Sequence, residues 1–516
     1  MITVSDIYNT KPKFWRLLPP LNCRSCNRRE IFQSEFLSEL DPSGHKINDP
    51  SYYKDIFKTI ERKDGAGNTI LDEEGNPQKI TVEIPIERVS IPMQQIILKK
   101  HVTFICGNKI KFIDLNLQPS EKERMLSASF RQGWETNNMG TAIYKFVESV
   151  EATGDGAFCS FMKDGRASFK VFSALNGDEL HPIYDMEGNL KLFGRSFFAY
   201  DYTARDNSLY MEVWDNEFFY RFKLDTDGTY DGEYRWNDKD SFRSDFVSES
   251  ESAEWILEKR EKHGYDRIPI EYLKRDSGAC WSAVQDLIDK LEMALSQLFE
   301  NNKSYAFRIM VIKGAGGGIQ IQGDLTGQAR AIVFDDQDSS AEFMDKADAS
   351  SSFELQLKET LKFILMGSFT VLPPEIKGGD MPGVTVKILY SPAIEQAIND
   401  INFYNETVDG IVDLFKQGYG IEQKNITGYK NLKIRGDMNV YVPQNDTEVI
   451  NNINQSLLNG SLSEETALQE NPLSAPDEMD RKRREKEEDI EDERKEIINN
   501  GMNDYNLAKQ NNPNVS

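Results

Sequence analysis

The spacing of apolar residues changes at Ser282, and this change limits the folds available to the chain. From Phe158 to Leu224 apolar and polar residues alternate, which predicts an antiparallel meander. The alternation flanks a turn at Asp215–Asn216, and its apolar members are Leu209, Met211, Val213, Phe218, Tyr220 and Phe222. From Ser282 the spacing becomes helical, with one face formed by Val284, Leu287, Ile288, Leu291, Ala294, Leu295 and Leu298. A strand-rich half followed by a helix-rich half predicts an α+β fold.

A glycine-rich, β-like excursion follows the first predicted helix. Ser282 and Gln285 have the spacing of a capping box at the start of this helix, which is about five turns long. Residues 309–334 come next and are rich in glycine and β-branched residues. This composition predicts short strands joined by flexible turns.

Two further helices complete the helical half. An amphipathic helix carries Phe353, Leu357, Leu361, Ile364 and Leu365. Pro373–Pro374 are expected to stop this helix. A loop at 375–385 then leads to a long helix from Lys387 to Lys416. Pro392 lies near the start of the long helix and is expected to kink it or reset its first turn.

The remaining segments are assigned from their composition. Residues 80–115 are rich in β-branched residues and predict strands, whereas residues 120–150 predict helix. A late strand is predicted at 432–443, followed by helical segments and a charged run at 477–497. The last dozen residues are rich in asparagine, which predicts a disordered tail.

The overall charge argues against a protein that grips nucleic acid over its whole surface. The formal net charge is −24, whereas tight non-specific binding needs many Lys and Arg contacts to phosphates. The five cysteines are sparse and odd in number, which is typical of a reducing compartment. No signal-peptide pattern or membrane-length apolar stretch is apparent, so assembly in a cytoplasm is expected.

Two cysteines near the N-terminus have the spacing of metal ligands. Cys23 and Cys26 form a CxxC pair, but a structural zinc site needs four ligands. The sequence has no second CxxC, and its four histidines are His45, His101, His181 and His263. Ordinary loop cysteines explain the pair better, so we predict no metal and no other cofactor.

Three other segments look like ligand-binding loops without meeting the chemical requirements. Gly314–Gly318 lacks the Lys and Ser/Thr of a phosphate loop. Asp225–Glu233 has its glycine misplaced for an EF-hand and suits a hairpin turn. Asp335–Asp338 could hold magnesium in a nuclease, but such carboxylates need distant partners, and a solvated loop explains them better. With no catalytic residue set apparent, we predict that the chain is not an enzyme.

Five stretches, taken in order, resemble the portal proteins of long-tailed bacteriophages. They lie at 173–201, 265–276, 283–305, 381–397 and 440–489. The second, YDRIPIEYLKRD, is similar to the approach to the first stem helix in that family, and the third is similar to that helix. The last, with NGSLSEETALQENP at its centre, is the strongest match.

One of these stretches departs from the family pattern. Pro382 stands where portal proteins usually show Ser, and Val386 where they show Leu. Pro392 falls where the family has helix.

The resemblance implies a portal fold with a β-rich wing, a two-helix stem, a small α/β clip, a long spanning helix and a helical crown. The expected regions are the N-terminal region and wing at 1–275, stem helix at 276–305, clip at 306–349, returning stem helix at 350–372, tunnel loop at 373–386, long helix at 387–418, late strand and crown at 419–497 and disordered tail at 498–516.

The resemblance also implies a function. Portal subunits would form a closed ring of twelve at one capsid vertex, through which viral DNA enters during packaging and leaves during ejection. The tunnel-loop residues facing the double-stranded DNA would be Lys377, Gly378, Gly379, Asp380 and Met381. The clip would dock the terminase large subunit and then the head–tail adaptor through Lys313, Gly314, Gly316, Gly317, Gly318, Asp335 and Asp336. The major capsid protein and a scaffold are further expected partners, and the ring would be a virion component assembled in the bacterial cytoplasm.

Two alternatives stay open from the residues alone. A different virion connector or tail protein would not need the order of helix, strands, helix, loop and long helix. A metal-dependent DNA enzyme would need a convergent cluster of carboxylates or histidines.

Overall fold

The structure is a computed structural model with mixed helix and strand architecture. It describes residues 35–62, 69–72, 75, 77–84, 86–116, 118–201, 206–225, 254–306, 310–313, 320–322, 331–333, 340–343, 350–372, 383–423, 428–442 and 446–474, with 478, 481–482, 484–486 and 495. The chain forms two compact units. The larger comprises Met1–Pro373 and Pro392–Tyr441, and the smaller comprises Pro374–Ser391 and Val442–Ser516.

The N-terminal part of the larger unit contains a hairpin and a buried helix. Strands β1 (Ile56–Glu61) and β2 (Lys79–Ile84) pair in an antiparallel two-stranded sheet. Helix α1 (Met93–Cys106) corrects the strand prediction for this part of 80–115. Its buried residues, among them Ile97, Leu98, His101, Val102 and Ile105, recur at helical spacing. Burial of this face overrides the strand preference of the β-branched residues.

Two helices occupy 120–150, as predicted. Helix α2 (Glu121–Thr136) begins at a capping box in which the Ser120 side chain accepts from the Glu123 backbone and Glu123 accepts from the Ser120 backbone. Helix α3 (Met139–Thr153) follows. Before them, β3 (Lys111–Asp114) confirms the strand prediction at the end of 80–115.

The predicted meander at 158–224 is divided between two antiparallel sheets. Strands β4 (Asp155–Lys163), β5 (Arg166–Phe172) and β11 (Ile270–Lys274) form the first, in the order β11-β4-β5. The second has the order β10-β9-β8-β7-β6 and comprises β6 (Asp178–Tyr184), β7 (Leu190–Asp201), β8 (Asp206–Trp214), β9 (Phe218–Asp225) and β10 (Glu254–Lys262). The predicted β8–β9 hairpin is confirmed, because the two strands pair in antiparallel orientation. Its alternating residues Met211, Val213 and Phe222 are buried.

The first long helix begins differently from the capping-box prediction. A 3-10 turn at Ser282–Val284 precedes α4 (Gln285–Ala306). The Ser282 hydroxyl is buried and makes no hydrogen bond, so it does not cap α4. The predicted apolar face is nevertheless buried, with Ile288 and Leu291 in the core.

Short strands and a returning helix follow α4. The strands are β12 (Met310–Lys313), β13 (Gln320–Gln322), β14 (Ala331–Val333) and β15 (Ser340–Phe343), which pair as β12–β15 and β13–β14. Helix α5 (Ser350–Gly367) shares a core with α4 through Ile364. It ends at Gly367 instead of continuing to Pro373–Pro374, because Phe369 turns the chain with a left-handed φ of 53°.

The long helix is confirmed, with a later start than predicted. A short helix α6 (Gly383–Leu389) occupies part of the expected loop, and α7 runs from Ser391 to Glu422. Pro392 lies at the second position of α7, where a missing N–H costs nothing, so it resets the helix. The late strand β16 (Ile434–Asp437) pairs with β3. The smaller unit also contains α8 (Asp446–Leu458) and α9 (Glu464–Glu470).

Candidate functional site

The predicted channel and clip residues fall largely outside the described part of the chain. Lys313 is the last residue of β12. The described residues include none of Gly314, Gly316, Gly317, Gly318, Asp335, Asp336, Lys377, Gly378, Gly379, Asp380 and Met381. Cys23, Cys26, Asp335–Asp338 and all of Asp225–Glu233 after its first residue also lie outside it. What the structure does describe is how the chain is held on each side of the expected tunnel loop.

The two segments that flank the expected loop meet in the larger unit. Phe369 and Thr370, just after α5, line a small cavity together with Ala393 and Ala397 at the start of α7. His101 on α1 lines the same cavity, whose volume of about 10 Å³ has room for roughly one water molecule. The cavity therefore marks the point where the outgoing and returning chain come together.

A cluster of buried charges lies beside this cavity. We call it the Glu151 cluster, and it comprises Glu151, Arg275, Asp400, Tyr404 and His101. The Glu151 side chain is fully buried near the end of α3 and accepts hydrogen bonds from the Arg275 guanidinium and, at 2.8 Å, from the Tyr404 hydroxyl. Arg275 also pairs with Asp400 at 3.4 Å. The Arg275 guanidinium thus pairs with two carboxylates, those of Glu151 and Asp400, in a largely buried position.

His101 joins the cluster to the end of α5. Its Nε2 donates to the Ser368 carbonyl oxygen at 2.7 Å, and its Nδ1 lies 3.9 Å from the Glu151 carboxylate. Ser368 also donates through its hydroxyl to the Ile364 carbonyl oxygen. The last turn of α5 is therefore hydrogen-bonded to an imidazole whose second nitrogen lies within 4 Å of the carboxylate that binds Arg275.

Local backbone geometry brings Arg275 under the end of α3. Gly154, which ends α3, and Gly278 both have left-handed φ angles, 79° and 76°. A Cβ atom on Gly154 would lie only 3.1 Å from the Cα of Gly278, so the two backbones approach more closely than larger residues allow. The Arg275 N–H donates to the Gly154 carbonyl oxygen at 2.8 Å. This close crossing explains how Arg275 reaches Glu151.

Burial shifts the proton affinities within the cluster. Burial raises the pKa of Asp400, the nearby Glu151 charge raises it further, and Arg275 opposes both effects. Burial and the Glu151 charge raise the pKa of Tyr404 far above its ordinary value, so the hydroxyl keeps its proton. Burial alone would lower the pKa of Arg275, but Glu151 and Asp400 outweigh it and raise that pKa. These shifts describe a charge-pairing network in which Arg275 stays cationic.

Two members of the cluster and the neighbouring Cys280 could together ligate a metal ion, but their chemistry opposes a cation. His101, Glu151 and Cys280 each offer one atom, and these atoms lie within 4.8 Å of one another. Glu151 already binds the cationic Arg275, which would repel a metal ion. Burial and then the Glu151 charge raise the pKa of Cys280, which keeps its sulfur a thiol rather than the thiolate that binds metals.

A second buried pair joins the N-terminal segment to α4. His45 Nδ1 donates to Glu292 Oε1 at 2.6 Å, and His45 Nε2 donates to the Glu39 carbonyl oxygen at 2.7 Å. Both partners are acceptors only, so the geometry is that of a protonated imidazolium. Lys46 pairs with Asp289 on the same helix at 2.8 Å. Two acidic residues of α4, Asp289 and Glu292, therefore pair with basic residues of the N-terminal segment.

Sequence reasoning missed both of these buried clusters. Histidines were weighed only as metal ligands, whereas His45 and His101 pair with carboxylates and carbonyl oxygens. One local signal existed, because Asp289 and Glu292 lie three residues apart on α4 among buried apolar positions. The partners of Glu151 carry no such signal, since Arg275 and Tyr404 are more than a hundred residues away from it.

A family comparison decides what this architecture belongs to. Residues 44–497 match the family described as phage portal protein, SPP1 Gp6-like. The chain belongs to the phage portal protein family. This assignment confirms the resemblance noted from the five sequence stretches. Portal proteins of this family are structural rather than enzymatic, which fits the prediction that the chain is not an enzyme.

Other comparisons find only distant similarity to this portal protein. No curated protein sequence matches it. A chain from the neck of an empty GTA particle is 12% identical, with 70% of this chain and 88% of that chain covered and a TM-score of 0.35. A chain from the virion of a native gene transfer agent particle is 12% identical, with 71% and 86% covered and a TM-score of 0.34.

None of the described helices combines the length and apolar character that a bilayer crossing requires.

Proposed function

We propose that this portal-family chain forms a ring of twelve subunits at one capsid vertex and conducts double-stranded viral DNA during packaging and ejection. The observation that carries this proposal is the family match over 44–497, which spans the α4, strand, α5 and α7 order. In the proposed ring α4 and α5 form the channel wall. A closed ring needs two different faces of each subunit to meet.

Exposed apolar residues on α5 support a contact between subunits. Leu355, Phe363 and Met366 are 60%, 53% and 61% exposed, and their spacing places them along one side of the helix. Grouped apolar side chains that face water in a single subunit are typical of a surface covered on assembly.

The proposed channel contacts are those of the tunnel loop. Lys377 would offer one weak phosphate contact per subunit, Gly378 and Gly379 would let the backbone move, and Asp380 and Met381 would complete the DNA-facing segment. The net charge of −24 would keep DNA from adhering elsewhere.

The proposed partners would bind at different parts of the ring. The clip, with Lys313, Gly314, Gly316, Gly317, Gly318, Asp335 and Asp336, would dock the terminase large subunit during packaging and a head–tail adaptor afterwards. The rim would contact the major capsid protein and a scaffold. The ring would be assembled in the bacterial cytoplasm and carried in the virion.

Microscopy and mass measurement of the purified protein test this proposal. Negative-stain images should show rings with a central hole, and native mass spectrometry should show a species of about 709 kDa, twelve times the subunit mass of 59.1 kDa. A protein that stays monomeric, or that forms open filaments, would contradict the ring.

A further inference from the structure

The two ends of the expected loop both lie near one buried carboxylate, that of Glu151. The outgoing end, at Ser368, is hydrogen-bonded to His101, whose other nitrogen faces Glu151. The returning end, on α7, reaches Glu151 directly through Tyr404. Glu151 itself belongs to neither end, because it lies on α3.

Arg275 adds charge pairing to the hydrogen bonds that hold the two ends of the expected loop. It pairs with Glu151 and with Asp400, and Asp400 in turn accepts from Gln396 one turn earlier on α7. Gln396, Asp400 and Tyr404 follow each other at intervals of four residues, so they lie along one side of α7. The first turns of α7 are thus held through several side chains to Arg275 and Glu151.

Loss of the Glu151 charge should strongly weaken the contacts that hold the start of α7 to Arg275 and Glu151. Glu151 is fully buried, and removing one partner of a buried pair leaves the other charge without compensation. The neutral isostere Glu151→Gln keeps the shape of the side chain but leaves Asp400, at 3.4 Å, as the charged partner of Arg275 among the described residues.

We propose that Glu151 and Arg275 are positioning residues for the DNA channel, which hold the end of α5 and the start of α7 at a fixed separation. The chain between these two points contains the expected tunnel loop, so the pair sets where that segment leaves and rejoins the larger unit. This inference rests on the proposed channel function only for its effect on DNA, and not for its effect on the two helix ends.

Hydrogen exchange of the assembled protein tests the positioning directly. In Glu151→Gln, amide exchange should rise at least about tenfold in peptides covering 364–372 and 391–404. Exchange in the five-stranded sheet, at 206–225, should stay unchanged. Tyr404→Phe removes a single hydrogen bond and should raise exchange at 391–404 by a smaller factor.

The five-stranded sheet offers a matched control. Arg195 is buried there between Asp178, at 2.6 Å, and Glu212, at 2.8 Å, so Glu212→Gln disturbs a comparable charge cluster far along the chain from the loop. In Glu212→Gln, faster amide exchange should be confined to the five-stranded sheet. DNA packaged by complemented phage should fall at least about tenfold for Glu151→Gln and less than about twofold for Glu212→Gln, with rings retained in both.

The outcomes separate this inference from the proposed function. Unchanged exchange at 364–372 and 391–404 in Glu151→Gln would overturn the positioning role, whatever happens to DNA. An equal loss of packaging in Glu212→Gln would also overturn it, because general destabilisation would then explain both. If Glu151→Gln does not fold, Tyr404→Phe decides, and unchanged exchange at 391–404 in that variant overturns the proposal. Faster exchange at both ends in a protein that forms no rings would support positioning while refuting the ring.

Discussion

The pairing of His45 with Glu292 yields a sharp prediction about pH and stability. Each of these side chains is only 1% exposed, and the Glu292 carboxylate also accepts from the Ile91 N–H at 2.7 Å. Replacing His45 by Gln removes the cation and leaves a buried carboxylate without its charge partner. Breaking a buried pair in this way typically costs about 3–5 kcal/mol. Since Gln can still donate one hydrogen bond, we expect about 3 kcal/mol, or more than a hundredfold in the local opening equilibrium.

The effect should be larger at low pH. Burial alone would lower the pKa of His45, but the hydrogen bond and charge of Glu292 outweigh burial and raise that pKa above 6.5. A raised pKa in the folded state means that the stabilisation is complete below about 6.5 and is lost as the pH rises through the folded-state value. The difference between wild type and His45→Gln should therefore shrink steadily above neutral pH.

Hydrogen exchange across 39–49, corrected for the intrinsic pH dependence of amide exchange, measures this difference. Lys46→Gln is the matched control, because Lys46 pairs with the same helix but is 45% exposed. Asp289 is only 6% exposed but keeps a hydrogen bond from Gln285 at 2.7 Å, so loss of the half-exposed Lys46 should cost less than loss of His45. Equal effects of the two substitutions, or a His45→Gln effect that grows with pH, would show that the charged His45–Glu292 pair does not stabilise this segment.

Three further predictions concern the core, the loop and metal binding. Phe415→Ala should destabilise the larger unit by about 3–5 kcal/mol in denaturant titrations, since Phe415 is fully buried among aromatic rings that join α7 to α2 and β5. Replacing Gly378 and Gly379 with bulky residues should spare ring assembly but block packaging in complemented phage, because every subunit would add side chains to the channel together. Chelators should leave folding unchanged, and Cys23→Ser with Cys26→Ser should not alter the metal content of the purified protein.

Each of these predictions has a result that would contradict it. Leu458 is 86% exposed, so Leu458→Ala serves as the control for the core substitution, and an equal loss in both would mean that Phe415 is not a core anchor. Normal packaging by the double glycine variant would show that the loop does not line the channel. Stoichiometric zinc that depends on the cysteine pair would establish a metal site.

Local sequence patterns predicted the strands and helices in which buried side chains recur at short, regular intervals along the chain. Met211 and Val213 alternate because one face of their strand is buried, so the β8–β9 hairpin was predictable. The same reasoning was wrong at Val102 and Ile105, where strand preference lost to the burial of a helical face. Ser282 was predicted to cap a helix from spacing alone, but the 3-10 turn before α4 leaves its hydroxyl without a bond.

The candidate site was less predictable than the fold. Charge pairing between Glu151 and Arg275 depends on how α3 and the chain after β11 cross at two glycines, Gly154 and Gly278. A pattern within one segment carries no information on such a crossing. The family resemblance predicted the order of elements along the chain but not which buried charges would hold them.

We propose that this chain forms the DNA conduit at one vertex of a phage particle. An asymmetric cryo-electron microscopy reconstruction of DNA-filled particles tests it most directly. We predict one ring of this protein at a single vertex, with DNA density along the axis between the α4 and α5 helices of its subunits. A particle in which this protein lies elsewhere, or in which DNA density never enters the ring, would show that the protein is not the DNA conduit.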